Sequence, residues 1–180
     1  MAAPTPHSPV LLIFAVFSRH DEALQWCRAR AESQFGPIHF TSEPFSFTFT
    51  EYYEPEMGEG ITKQFFAFER LWDPADLAAV KLMTNDWEEE YAEQADHEEP
   101  RPLNIDPGYI SLGKLVLASA KDYTHRIYLR DGIYAEITLF YRGGGWQHHE
   151  WTFPDYQSKP YQQFFTKCRN WLHQQRRSGK

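Results

Sequence analysis

Eight consecutive apolar residues, VLLIFAVF at positions 10–17, limit what this chain can become more than any other feature. Successive side chains of a strand point to opposite faces, so an unbroken apolar run needs cover on both sides. Eight residues are far too few to cross a bilayer as a helix. No Lys or Arg precedes the run and no small-x-small pattern follows it, so it does not read as a secretory leader. The expectation is a central strand held between two layers. Such a strand requires a sizeable core, and 180 residues at 42% hydrophobic and 17% aromatic are enough for one domain. Residues 1–8, rich in Pro, Ala and Ser, read as an N-terminal arm, 9–176 as a single domain and 177–180 as a short basic tail.

The run is followed by a helix with the apolar stripe Leu24, Cys27, Ala31 and Phe35, ended by Gly36-Pro37. Pro44 to Tyr53 alternates, with Phe45, Phe47 and Phe49 on one face and Ser46, Thr48 and Thr50 on the other. EPEMGEG turns the chain, and Thr62 to Leu71 returns as a strand. Asp73-Pro74 opens a second helix that runs to about Glu93, with Leu77, Val80, Thr84, Trp87 and Tyr91 facing inward. QADHEEPRP reads as an exposed acidic loop and Leu103 to Ile105 as a short strand. Strand, helix, strand, strand, helix, strand is the order of a ferredoxin-like βαββαβ antiparallel core with its helices on one side. The predicted fold is α+β: that core, extended by a β-hairpin and a C-terminal helix.

Asp106-Pro107-Gly108 has the composition of a turn. SLGKLVLASAKD after it suits a short helix slightly better than a strand. For the hairpin THRIYLRDGIYAEITLFY, register follows the face to be buried. A three-residue loop, Arg130-Asp131-Gly132, pairs Leu129 with Ile133 and gathers Ile127, Leu129, Ile133, Ala135, Ile137 and Leu139 on one face. It also sets Arg126 opposite Glu136. The last helix, Pro160 to Gln175, carries the cleanest stripe: Tyr161, Phe164, Phe165, Cys168, Trp171 and Leu172.

A net charge of −7 argues against a duplex nucleic-acid surface, which needs a basic face. The two cysteines fall on helix stripes and fit small buried thiols in a cytoplasmic protein. No membrane association follows from any segment.

Three polar groups carry the candidate chemistry. Glu51 shares the parity of the three phenylalanines, and a carboxylate on an apolar face needs a partner or water. With Glu56 nearby it suits an acid/base or ligating role at a pocket rim, unless the strand frays before it. Lys81, Asn85 and Glu88 lie on one helical stripe, where Asn85 can bridge the two charges; a solvated helix face is the plain alternative. Asn104, Asp106, Lys121, His125 and Arg126 meet if the chain returns beside Asn104, and cations there suit a phosphate or carboxylate. A structural Arg126–Glu136 pair competes for the same arginine. The catalytic candidates are therefore Glu51, Glu56, Asp106, His125 and Glu136, and the ligand-binding ones Lys81, Asn85, Asn104, Lys121 and Arg126. No metal is expected: His148-His149-Glu150 sits beside a glycine run, and no HExxH or CxxC spacing occurs. No motif names a cofactor.

The blocks FTEYYEPEMG, KLMTNDWE, RPLNIDPGYISLGKLVLASAKDYTHRIYL, GIYAEITL and WTFPDYQS resemble, in order, the prokaryotic family catalogued as domain of unknown function 4416. The resemblance runs from Val10 to Leu172 and implies no particular chemistry. Some members carry a GTP-binding label, which no GxxxxGK[ST] loop supports in this chain. GEGITK at 58–63 is too short, and Gly143–Gly145 precedes no evident helix. Two functions follow as expectations: an enzyme or binding domain for a small anionic molecule such as a nucleotide, or a noncatalytic protein-interaction module.

Overall fold

In the computed structural model, which describes residues 3–50 and 52–178, the apolar run forms β1 (Val10–Ser18), buried along its whole length. Leu11, Ile13, Ala15 and Phe17 face the C-terminal helix α4 (Lys159–Ser178), against Tyr161, Phe164, Phe165, Cys168 and Leu172. Leu12, Phe14 and Val16 face α1 (Asp21–Phe35) and α3 (Leu77–Gln94). The unbroken apolar run thus has cover on both sides, as expected: α1 and α3 share one face and α4 takes the other. The stripes of α1 and α3 are buried residue for residue as their spacing predicts.

The sheet is antiparallel and nine-stranded. Its other strands are β2 (Ile38–Thr41), β3 (Phe45–Ser46), β4 (Thr62–Trp72), β5 (Asn104–Ile110), β6 (Lys114–Ser119), β7 (Ile127–Arg130), β8 (Ile133–Arg142) and β9 (Gly145–His148). The order across it is β2-β4-β1-β5-β6-β8-β7, with β3 beside β4 and β9 beside β8. A short helix α2 (Glu54–Met57) precedes β4. Among the described residues no helix is long and apolar enough to cross a membrane.

Several local expectations are overturned. The alternating segment after Pro44 stays in the sheet only over Phe45–Ser46, because its antiparallel partner β4 begins at Thr62 and offers no residue before it. After one more bond, from Phe47 N–H to the Ile61 oxygen at 2.8 Å, the chain leaves the sheet. The segment expected to be helical is β6, fixed by pairing with β5 on one side and β8 on the other. Asp106-Pro107-Gly108 is no turn: it runs through the middle of β5, in register with Ala15, Phe14 and Ile13 of β1.

In the hairpin, Ile127 pairs with Ala135 and Tyr128 with Tyr134, the predicted register. At the tip Arg130 pairs with Ile133, so the register shifts across Leu129. Asp131 and Gly132, at φ of 53° and 76°, form a two-residue turn in place of the predicted loop. Burial on the two faces is also mixed. Ile133 and Leu139 are buried, but Ile127, Leu129 and Ile137 are exposed while Glu136 and Thr138 are covered. The reason is the cover: α3 reaches Ile133 through Leu77 and Ala78, and the chain around Thr152 closes over Thr138, whose oxygen accepts from Thr152 Oγ1 at 2.7 Å.

Candidate functional site

β5 and β6 pair only where Gly108–Ile110 oppose Leu115–Leu117. Gly108 makes that approach possible, since a Cβ there would collide with the Val116 carbonyl oxygen and the Leu117 side chain. Just before it, Pro107 brings no N–H to a ladder. Asn104–Pro107 therefore parts from Ala118–Ser119, which stays with β8. The separation strands a free edge at Ile105, and two α3 side chains satisfy it. Ile105 N–H donates to Glu88 Oε1 at 2.7 Å, and its oxygen accepts from Lys81 Nζ at 2.7 Å.

The gap opens into a cleft of about 1110 Å³. Glu56, Lys81, Asn85, Asn104, Asp106, Lys121, His125, Arg126 and Glu136 all line it. Glu51 lies outside the described residues. The cleft is built of three linked polar groups and an aromatic rim.

The first group joins α3 to β5. Lys81 Nζ is 3.3 Å from Asp106 Oδ1 and 3.8 Å from Glu88 Oε1. Asn85 lines the cleft beside them without bridging them, because Lys81 and Glu88 approach each other directly. Arg101 donates to Glu88 Oε2 through Nη2 at 2.7 Å and Nε at 3.1 Å. Arg101 Nη2 also donates to Asn104 Oδ1, and Asn104 Nδ2 donates to Asp106 Oδ2 at 3.2 Å. Glu56, exposed on α2, places Oε2 3.8 Å from Arg101 Nη1. Burial pushes the Glu88 carboxyl above its ordinary value, against the pull of Lys81 and Arg101. For Asp106 burial acts in the same direction, but Lys81, Lys63 and Arg101 outweigh it and hold the carboxyl low. Asp106 stays partly open to the cleft, its side chain 27% exposed between charges that keep it ionised, while Lys81 and Glu88 are nearly covered.

The second group lies on the β6–β8 wall. Arg126 Nε donates to Glu136 Oε2 at 2.8 Å, the cross-strand partnership expected from the register. Arg126 Nη1 reaches Ser119 Oγ at 2.6 Å and the Lys121 oxygen at 2.9 Å. His125 Nε2 adds a contact to Glu136 Oε2 at 3.3 Å, and Thr138 Oγ1 donates to Oε1 at 3.2 Å. Lys121 is exposed, and its ammonium lies over the Tyr52 ring and donates to that hydroxyl.

The third group is the floor, a buried Lys63–Asp155 pair enclosed by Phe17, Tyr156 and neighbouring rings. The rim is formed by Phe49, Tyr52, Tyr123, Trp151 and Phe153, all substantially exposed. His125 stacks between Tyr123 and Trp151, with interplanar angles of 12° and 15°.

Lys63 and Arg101 are the residues that residue patterns alone passed over. Lys63 alternates in phase with Phe65 and Ala67, which marks a charge on an apolar face as surely as parity marks Glu51. Arg101 sits in a stretch whose acidity suggests simple exposure, and it folds back because buried Glu88 needs a cation. Cys27 and Cys168 are unpaired and buried on opposite sides of the sheet, and burial pushes both thiols up, away from nucleophilic use.

Together these features define an α+β domain whose sheet divides between two strands to form a polar, aromatic-rimmed cleft. The chain belongs to the family described as Domain of unknown function (DUF4416), whose model matches residues 8–172. No curated protein and no solved structure matches it.

Proposed function

We propose that this protein binds a small anionic molecule carrying a flat ring, a nucleotide being the leading class, in the cleft between β5 and β6. The observation that carries this is convergence: polar side chains from α2, α3, β5, β8 and the β6–β7 connection meet in one concavity under exposed aromatic rings. Rings of that kind stack on planar ligands, and Lys121 at the rim supplies a cation for a phosphate or carboxylate. Binding is favoured over acid–base catalysis. Asp106 is held ionised by its cations, which makes it a poor proton donor, and Glu136 is occupied by Arg126, His125 and Thr138. The strand order β2-β4-β1-β5, with α1 and α3 on one face, supports a ferredoxin-like core as the platform. Two free buried thiols support a cytoplasmic setting.

A second reading, a protein-interaction module, is favoured by edge strand β7, where Ile127 is 70% exposed beside exposed Tyr128 and Leu129. Thermal melts with GTP, ATP, inorganic phosphate and citrate separate the two. A ligand that binds only the folded chain raises its melting temperature, by about 2.7 kcal/mol of stability at 100 times Kd. The cleft reading expects a nucleotide response that shrinks in Asn85→Ala and Lys121→Ala. No response in the wild type, or an equal one in both variants, refutes it in favour of the module.

A further inference from the structure

A second cluster of ligating side chains lies apart from the cleft groups, where the end of β1, the first turn of α1 and the chain after α3 meet. His20 and His97 stack with ring centroids 3.7 Å apart and planes 17° from parallel. One ring nitrogen of each and an oxygen of Glu22 lie within 4.8 Å of one another. Glu22 Oε1 stands 3.9 Å from His20 Nδ1 and 4.0 Å from His97 Nε2. Those separations are too long for hydrogen bonds. A four-coordinate zinc ion with bonds near 2.1 Å spaces its donors by about 3.4 Å, so Glu22 must close on each nitrogen by about half an ångström, and the stacked rings, whose nitrogens lie within 4.8 Å, must turn so that both lone pairs meet at one ion. Glu22 is exposed on the first turn of α1 and makes its part of that movement by rotating its side chain, and His97, on the chain after α3, supplies the turn of the ring.

The surroundings suit a metal-bound imidazole. His20 Nε2 lies 3.0 Å from Glu99 Oε2, and Glu99 Oε1 in turn accepts from Arg19 Nη1 at 2.8 Å. A neutral His20 that gives its Nε2 proton to Glu99 presents a lone pair at Nδ1, the atom that faces Glu22. A carboxylate orienting the far side of a ligating imidazole is the usual outer arrangement around such ions. One contact competes: the Tyr91 hydroxyl lies 3.1 Å from His97 Nε2 and must turn its hydrogen aside when that nitrogen ligates.

We propose that His20, Glu22 and His97 bind a divalent transition-metal ion of the zinc class, with its fourth position open to solvent. Two imidazoles and one carboxylate select such an ion over magnesium or calcium, which take oxygen ligands. The bound ion clips the chain after α3 to the start of α1. The site lay beyond sequence motifs because its two histidines are joined by the fold and share no local spacing.

Calorimetric titration of the chelator-treated protein with Zn2+ tests the site, with Co2+ as a spectroscopic probe of coordination. The expected result is one ion per chain, a visible Co2+ band and a higher melting temperature with metal. His20→Ala/His97→Ala loses binding, Glu99→Gln weakens it by about tenfold through the outer contact, and His148→Ala/His149→Ala retains it. Should the double histidine variant not fold, Glu22→Ala removes a ligand from an exposed position and must weaken binding. Absent stoichiometric binding in the wild type, binding unchanged by loss of His20 and His97 or of Glu22, or binding lost with His148 and His149 overturns the proposal.

Discussion

Lys63 Nζ and Asp155 Oδ2 stand 2.6 Å apart, with side chains only 1% and 4% exposed. The pair ties β4 to the short 3-10 turn Pro154–Gln157 and so closes the floor of the cleft. The ammonium also lies 4.0 Å from the Tyr156 ring centroid and 4.4 Å from that of Phe17. Burial pulls the Lys63 pKa down and Asp155 pulls it back, so the charge depends on its partner.

Removing one member should therefore cost more than removing both. Asp155→Asn and Lys63→Met each leave a buried charge unpaired and should each lose about 3–5 kcal/mol. In a domain of this size that lowers the melting temperature by on the order of 10 °C. Lys63→Met/Asp155→Asn should recover most of the loss, since Asn can still accept from Tyr156 N–H as Asp155 Oδ1 does at 3.0 Å. Urea unfolding of the four proteins yields the coupling energy. Additive losses would show that the pair is not coupled.

Asp106 should set part of the acid limb of stability. Its folded carboxyl is held below the ordinary 3.8 by Lys81, Lys63 and Arg101, against burial. A carboxyl lowered in this way contributes stability above its unfolded value, and the contribution disappears as pH falls through the lowered folded value. The stability difference between wild type and Asp106→Asn should thus be largest near neutral pH and shrink below pH 4. Melting temperatures of both proteins across that range check it, and a difference that grows on acidification contradicts it.

The Arg126–Glu136 pair separates charge from shape. Arg126→Ala leaves the buried Glu136 carboxylate with His125 and Thr138 only and should cost about 3–5 kcal/mol. Arg126→Lys keeps the charge but cannot reproduce the guanidinium's simultaneous bonds to Glu136, Ser119 and the Lys121 oxygen. Its loss should fall between wild type and Arg126→Ala in chemical unfolding. Indistinguishable Lys and Ala variants would mean that the fork geometry carries the whole effect.

The sequence displayed this fold unevenly, for physical reasons. The run from Val10 to Phe17 announced two covering layers because no other arrangement hides eight apolar side chains. Helix stripes were legible because their periodicity is set by the same face that packs. The β7–β8 register was recoverable from parity, yet the cover on each face was not: which side α3 and the chain around Thr152 protect is a tertiary fact, and it buries Glu136 while exposing Ile127. Asp106-Pro107-Gly108 misled because its turn-like residues serve a strand. The glycine admits β6, and the proline falls where pairing ends. Lys81 and Glu88 could be placed on one stripe, but their role as substitutes for a missing strand at Ile105 depends on the departure of β6.

That departure makes Gly108 the most exacting position near the cleft. A methyl group there would meet the Val116 carbonyl oxygen, which is backbone and cannot rotate away, as well as Leu117. Gly108→Ala should cost about 1–3 kcal/mol through overpacking and should speed amide exchange at Gly108–Ile110 and Leu115–Leu117, the ladder pairs that hold β5 to β6. Gly132→Ala is the matched control. Its Cβ meets nothing within 4 Å, so its cost comes from φ of +76° alone and stays local to the hairpin tip. Hydrogen exchange should thus show the Gly108 variant loosening the cleft wall and the Gly132 variant sparing it. Equal protection of the β5–β6 pairs in both variants would mean that the close approach at Gly108 does not hold the two strands together.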